Sequence, residues 1–257
     1  MNITFFTNKG GVREHNEDAI FIAGSIISSC SMAAPVTVNT ESADKCFVVV
    51  DGMGGYHGGE RAANIVASSF TSDVEGWNIP VESAKRKITH ILETASSRIS
   101  EAVKVKPQYN SMGAVLAGII FCYDGVLAFN CGDCRVYVQN GEYLEKLTYD
   151  HSFVQELCDK TEITEDEMRT HPRKNIITAC VSQNVNDINI FFRSVPLLEK
   201  SRRFIVCSDG VWEALPLETI EKCSVKDSMY EAGSSLASCL LNLQTECRDN
   251  ISFLFAE

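Results

Sequence analysis

The chain has 257 residues, and its 45% hydrophobic and 22% charged content is that of a globular protein. That length allows one or two domains, but no Pro/Gly/Ser-rich linker divides the chain into halves with separate cores, so a single domain over 1–257 is expected. The net charge of -11 leaves no basic footprint for a phosphate backbone, which excludes nucleic acid as the expected partner.

Apolar runs predict strands at 3–7 and 19–23. Residues 24–45, rich in Ser, Ala and Thr, read as a long loop or hairpin extension. A buried strand over 46–50 follows, then helical spacing over 59–70 through Ala62, Ala63, Val66 and Phe70. A second helix is clearer: Ala84, Ile88, Ile91, Leu92, Ala95, Ile99 and Ala102 recur on one face. Four strands over 112–122, 125–130, 135–139 and 143–148 come in quick succession, with turn signals at Asp124-Gly125 and Asn140-Gly141, and read as an antiparallel meander. A mostly helical insert over 150–182 precedes strands near 188–194 and 203–208. A helix at about 228–243 turns Leu236, Leu240 and Leu243 inward, and a strand over 251–255 closes the chain. Consecutive strands with helices in pairs suit helices packed outside a sandwich of antiparallel sheets, not a doubly wound βαβ sheet.

Two of these strands run straight into Asp-Gly, at Asp51-Gly52 and at Asp209-Gly210. A carboxylate at the tip of a buried strand is held rigidly yet reaches solvent, and the glycine lets the backbone turn away. Hard cations take such oxygen ligands. Asp133 and Asp249 stand at two further tips. One Asp-Gly alone is ordinary turn chemistry; the set is a candidate metal site. The acidic total also suits a protein that collects divalent cations, although a solvated acidic surface accounts for most of it. Residues 1–9 have no basic region followed by a long apolar stretch, and no later run nears membrane-spanning length, so the chain reads as cytoplasmic with no membrane partner. The 11 cysteines are odd in number and mostly sit in apolar segments, as Cys46, Cys122, Cys207 and Cys239 do, so they read as reduced core residues. Cys131 and Cys134 form a C-x-x-C, a spacing used elsewhere for zinc or redox chemistry. Within a strand over 127–138, residues three apart face opposite ways unless the ladder is broken, which speaks against that use here.

Five motifs then occur in order: Gly-Val-Arg-Glu-His-Asn-Glu-Asp-Ala at 11–19, Val-Asp-Gly-Met-Gly-Gly at 50–55, Cys-Gly-Asp-Cys-Arg at 131–135, Cys-Ser-Asp-Gly-Val-Trp-Glu at 207–213 and Arg-Asp-Asn-Ile at 248–251. In these the chain, over nearly its whole length, resembles the metal-dependent protein phosphatases (PPM family, the type 2C serine/threonine phosphatases) in their compact bacterial form. The segments Leu-Thr-Tyr-Asp-His-Ser at 147–152 and His-Pro-Arg-Lys-Asn-Ile-Ile-Thr at 171–178 resemble the flap of the bacterial members, which places a flap subdomain at about 150–182.

The resemblance implies an α+β fold, a four-layer αββα sandwich of two antiparallel sheets flanked by helices, with a metal cluster at one end. It implies hydrolysis of phosphoserine and phosphothreonine monoesters with Mn2+ or Mg2+, two per chain and a third held more weakly. Two such ions about 3.5–4 Å apart activate a water and screen the charge of the phosphoryl group. By resemblance, Asp51 bridges both ions and the Gly52 carbonyl binds one of them. Glu17 holds the second ion, and Asp209 and Asp249 hold the first, partly through water. Asp133 with Asp209 builds the third site, and Asp18 orients ligating waters. Arg13 is similar to the arginine that grips the substrate phosphate, a task suited to a bidentate guanidinium; on spacing alone it would be a surface ion pair with Glu14 or Glu17. Phosphorylated proteins, including a serine/threonine kinase or its targets, are the implied partners of a monomeric enzyme.

The chain also departs from the family pattern. Met53 stands where many eukaryotic relatives have a histidine discussed as general acid, which leaves protonation of the leaving group unassigned. Tyr56 stands where bacterial members often have His, with His57 one position later. His151 and His171 belong to the flap resemblance without a catalytic role. Ala114 and Val115 replace the small hydroxyl residues that usually follow Gly113. The glycines at 54–55 and 58–59 either cradle a phosphate with backbone amides or form the turn into the first helix. Three other readings stay open: a non-catalytic PPM-like regulatory binding module, a two-metal nuclease or nucleotide hydrolase, and a structural calcium site.

Overall fold

The computed structural model describes residues 1–40, 45–54, 58–71, 76–196, 202–243 and 249–257. Gly55, Tyr56, His57 and Arg248, all named in the sequence motifs, lie outside them. Two antiparallel sheets lie face to face. One is ordered β4 (Val36–Asn39), β1 (Asn2–Asn8), β13 (Ile251–Ala256), β12 (Phe204–Cys207), β8 (Arg135–Asn140) and β9 (Tyr143–Lys146). The other is ordered β11 (Phe191–Val195), β7 (Val126–Cys131), β6 (Gly113–Phe121), β5 (Cys46–Met53), β2 (Ala19–Ile22) and β3 (Ser25–Ser28), with the short β10 (Val181–Ser182) against β6.

Strand β5 shows why the sandwich forms. Cys46, Val48 and Val50 point into a core shared with α1 (Gly58–Thr71) and α2 (Val81–Val105), whereas Phe47 and Val49 point into the core between the sheets. A strand covered on both faces needs an unbroken apolar run instead of strict alternation. The face of α2 that carries Ala84, Ile88, Leu92, Ala95 and Ile99 is fully buried, as its spacing predicts. A third core packs α5 (Asp209–Trp212), α6 (Leu217–Ser224) and α7 (Met229–Asn242) onto the other sheet through Trp212, Ile220, Leu236, Leu240 and Phe253. The layers are therefore helices, sheet, sheet, helices: the αββα arrangement. Among the described residues no helix is long and apolar enough to cross a membrane.

Two local expectations are corrected, and of the two readings of residues 24–45 the hairpin extension holds for β3. The four strands between 112 and 148 are not one meander: β6 and β7 belong to one sheet and β8 and β9 to the other. The chain changes sheet at Gly132-Asp133-Cys134, so Cys131 is buried in the helix-side core and Cys134 between the sheets. The C-x-x-C thiols thus face different cores. Residues 24–45 contribute β3, which extends the hairpin from β2, and β4, the edge of the other sheet; polar, half-exposed edge strands lack the apolar alternation that would announce them. The 150–182 insert is mostly irregular, with only α3 (Phe153–Asp159, 7 residues) and α4 (Glu165–Met168, 4 residues) helical.

Candidate metal centre

Strand tips converge at one end of the sandwich. Strand β5 carries Asp51 and Gly52 just before its last residue, β12 leads through Ser208 to Asp209, the crossover from β7 to β8 carries Asp133, and Asp249 stands just before β13. The loop after β1 brings in Arg13 and Glu17. Arg13, Glu17, Asp51, Gly52, Asp133, Asp209 and Asp249 line one cavity of about 350 Å³, together with Met53, Gly54, Val115, Asn175 and Ile177. Asp18 is not on this wall. It is buried behind the cavity, where its Oδ2 accepts a hydrogen bond from Ser208 Oγ at 3.0 Å.

Two buried asparagines shape the loop. Asn250 Oδ1 accepts the Glu17 N–H at 2.8 Å, while its Nδ2 donates to the carbonyls of Lys9 at 3.1 Å and His15 at 2.9 Å. Asn16 Nδ2 donates to Thr7 Oγ1 and to the Cys30 carbonyl, both at 2.7 Å. Both stand within the sequence motifs, where their roles are not evident; their one signal there is an amide beside an acidic ligand candidate, a residue that can satisfy several backbone groups at once.

Glycine is required where backbones touch. A Cβ on Gly52 would stand 2.1 Å from the Gly59 carbonyl oxygen, and one on Gly59 would stand 2.8 Å from Cδ of Glu17. Only glycines let the tip of β5, the start of α1 and the Glu17 carboxylate approach so closely. Gly58 and Gly59 thus belong to the helix entrance, the second of the two roles weighed for them. Val115, in place of a hydroxyl residue, packs against Gly132 and forms part of the cavity wall.

The carboxylates hold one another in an unfavourable charge state. Burial first, then repulsion from neighbouring acids, pushes Asp51 and Asp209 well above the usual carboxylate range. Burial raises Asp18 and Asp133 to about 7. Asp209 Oδ1, on the cavity wall, is buried with no hydrogen-bond partner among the described residues. Such an orphaned carboxylate oxygen, in an all-oxygen set, fits a hard divalent cation. Arg13 does not pair with Glu14 or Glu17 as its spacing suggested; it donates to Asp249 Oδ2 at 2.7 Å across the cavity mouth. As placed, no three His, Cys, Asp or Glu side chains among the described residues stand close enough to share one ion.

This charge state makes stability depend on pH in a particular direction. A carboxylate whose folded pKa is raised adds stability that is fully present below its unfolded pKa and is lost as pH rises through the folded value, here about 7 for Asp18 and Asp133. In chelator, the melting temperature is expected to fall between pH 6 and pH 8. Manganese is expected to restore more of it at pH 8, where protons no longer compete for the oxygens. Thermal unfolding at both pH values with and without manganese checks this; an equal or larger manganese effect at pH 6 would contradict it.

Burial also pushes thiols upward, Cys122 to about 11 and Cys131 and Cys207 to about 12, so none of these is a thiolate at neutral pH. Alkylation of accessible thiols is expected to leave turnover largely unchanged while the fold is preserved. Trapping a covalent phosphocysteine would refute that.

The insert roofs the cavity. Asn175 and Ile177 reach its wall, Lys174 forms an ion pair with Glu213, and Arg169 donates to the Glu213 carbonyl at 3.0 Å. His171 Nδ1 accepts the Arg173 N–H at 3.1 Å and shapes a turn within the insert.

The family model described as Protein phosphatase 2C matches residues 33–241. The chain belongs to the protein phosphatase 2C family. It is an enzyme of that class by descent. It is 26% identical over 230 residues to the serine/threonine phosphatase stp of Listeria innocua, covering 86% of this chain and 82% of that protein. It is 24% identical over 254 residues to the serine/threonine protein phosphatase PstP of Mycobacterium tuberculosis, where the match covers 98% of this chain but 44% of PstP. The solved catalytic domain of a PstP, in complex with 2 manganese ions, superposes with a TM-score of 0.77 over 99% of this chain and 98% of that one at 22% identity, a likeness of fold. All the acidic residues on the cavity wall lie at strand tips of this shared 2C fold or in the loops beside them.

Proposed function

We propose that the chain is a protein serine/threonine phosphatase that hydrolyses phosphoserine and phosphothreonine monoesters with two divalent cations, manganese or magnesium, and a third held more weakly. The observation that carries this reading is that Glu17, Asp51, Asp133, Asp209, Asp249 and Arg13 line a single cavity. Asp51, the Gly52 carbonyl, Glu17, Asp209 and Asp249 would hold the two cations, and Asp133 with Asp209 the third. Such ions, when bound, supply a water acidic enough to attack near neutral pH and screen the phosphoryl charge.

The chain's own groups do the rest. Arg13, half-exposed at the mouth and already binding a carboxylate, is placed to take two phosphate oxygens in a planar fork. Asp18, behind the wall and bonded to Ser208, anchors the peptide that presents Asp209 and would order water on the cation side. Met53, Val115 and Ile177 add apolar surface to the cavity lining, against which the organic part of the ester would rest. Phosphorylated proteins, a serine/threonine kinase or its targets among them, are the proposed substrates of a monomeric, cytoplasmic enzyme.

A non-catalytic binding module would have no need to keep five carboxylates crowded around one cavity. The net charge of -11 disfavours nucleic acid as the alternative substrate. Turnover of phosphoserine, phosphothreonine and phosphotyrosine peptides, compared with nucleic acid and with the metal varied, is the test. Activity is expected on the phosphoserine and phosphothreonine peptides, lost in chelator and restored by manganese or magnesium in preference to zinc. Full activity in excess chelator, with metal shown to be absent, would sink the reading.

A further inference from the structure

The crossover that carries Asp133 is held from outside. Gly132 adopts a φ of +105°, a left-handed conformation, and has no side chain with which to fix the turn. His151 holds its peptides on both sides: its Nδ1 accepts the Gly132 N–H at 3.1 Å, and its own N–H donates to the Gly132 carbonyl at 2.9 Å. That carbonyl also accepts from Asn130 Nδ2 at 2.9 Å, and Trp212 Nε1 donates to the Asp133 carbonyl at 3.0 Å. Because Nδ1 accepts, the neutral ring carries its proton on Nε2. The ring is 5% exposed and lies edge-on to Tyr149 at 5.8 Å, so it has little room to turn. His151 is also tied within the insert, since its carbonyl accepts the Thr178 N–H at 2.9 Å.

We propose that His151 is a positioning residue for Asp133: the acceptor on its ring fixes the Gly132 peptide and so sets the direction from which the Asp133 carboxylate enters the metal centre. The proposal rests on the reading of Asp133 as a ligand of the more weakly held cation. A glycine turn released at its N–H can rotate the following residue, and groups that orient a ligand commonly change metal affinity about 10–100-fold when lost.

Calorimetric titration of the full chain with manganese is the test, read beside the manganese concentration for half-maximal turnover and the melting temperature. His151→Phe keeps a ring and removes the acceptor; the weakest manganese-binding step is expected to weaken roughly tenfold, with KM for a phosphopeptide at saturating manganese unchanged. His151→Asn carries its amide oxygen on Cγ, as the imidazole carries Nδ1, and is expected to recover most of that loss. Asp133→Asn is expected to weaken the same step. If the phenylalanine variant does not fold, His151→Gln, with its oxygen one bond farther out, replaces it. Weakening by Asp133→Asn alone, or no rescue by asparagine, overturns the positioning role. No weakening by Asp133→Asn overturns the reading of Asp133 as a ligand, and the proposal with it.

Discussion

Asp209→Asn is expected to lower kcat by roughly a hundredfold to a thousandfold, the several kcal/mol that a metal centre contributes taken at 1.36 kcal/mol per tenfold. Asp209 lies on the cavity wall, is crowded by Asp133 and Asp249, and has a buried oxygen without a hydrogen-bond partner among the described residues. Removing its charge takes a ligand from a site whose other acids still repel one another, so manganese should bind more weakly as well. Arg13→Ala makes the contrasting case. Its guanidinium holds Asp249 at 2.7 Å, so its loss removes a cation that competes with metal for that carboxylate, and manganese affinity should be unchanged or tighter. The cost should fall on phosphate binding. Losing a charged hydrogen-bond partner costs about 1.5–3 kcal/mol, or roughly tenfold to a hundredfold in kcat/KM. Metal titration beside steady-state kinetics on both variants separates the roles; loss of metal binding in Arg13→Ala, with normal turnover in Asp209→Asn, would reverse them.

The largest stability effect is expected at Asp150. Its carboxylate is fully buried and accepts from Arg135 Nε at 3.0 Å and Nη2 at 2.5 Å, while the guanidinium lies 3.6 Å from the centroid of the Trp212 ring. Asp150→Ala leaves Arg135 in the interior without its counter-charge, a change that costs about 3–5 kcal/mol. For a chain of this size that lowers the melting temperature by roughly 6–20 °C, at about 2–4 °C per kcal/mol. Replacing both partners with apolar residues of similar volume should recover most of the loss, because the penalty arises from the stranded charge more than from the missing contact. A drop of only one or two degrees in the single variant would show that water reaches Arg135 and the pair is not buried in solution. The effect should extend to the metal centre, since Trp212 also donates to the Asp133 carbonyl.

Much of this protein was legible from local pattern. The 3–4 spacing of Ala84, Ile88, Ile91, Leu92, Ala95 and Ile99 announced α2, because burying one face is what holds a long helix in place. Asp51 and Asp209 could be picked out because a strand running into Asp-Gly leaves a visible trace in sequence. Asp133 showed the same trace as an acid at a strand tip, whereas Arg13 and Glu17 had no such local signal; the order of the five motifs brought those two forward, and the fold placed all of them around one cavity.

Partnerships across the chain were set by the tertiary structure alone. Sequence spacing offered Arg13 its neighbours Glu14 and Glu17, but folding brings Asp249, 236 positions away, to its guanidinium. Four strands in succession read as one meander because turn signals mark where a chain reverses and carry nothing about which sheet the next strand joins. The crossover at Gly132 is decided by what covers each face, Cys131 by helices and Cys134 by the opposite sheet. Asn250 and His151 became visible as organisers only in three dimensions, because a hydrogen bond is short and directional and its two ends can lie anywhere in the sequence. Composition and periodicity determine which residues must be buried and which must stay hydrated; which buried group meets which is decided by the packing of the sheets and helices.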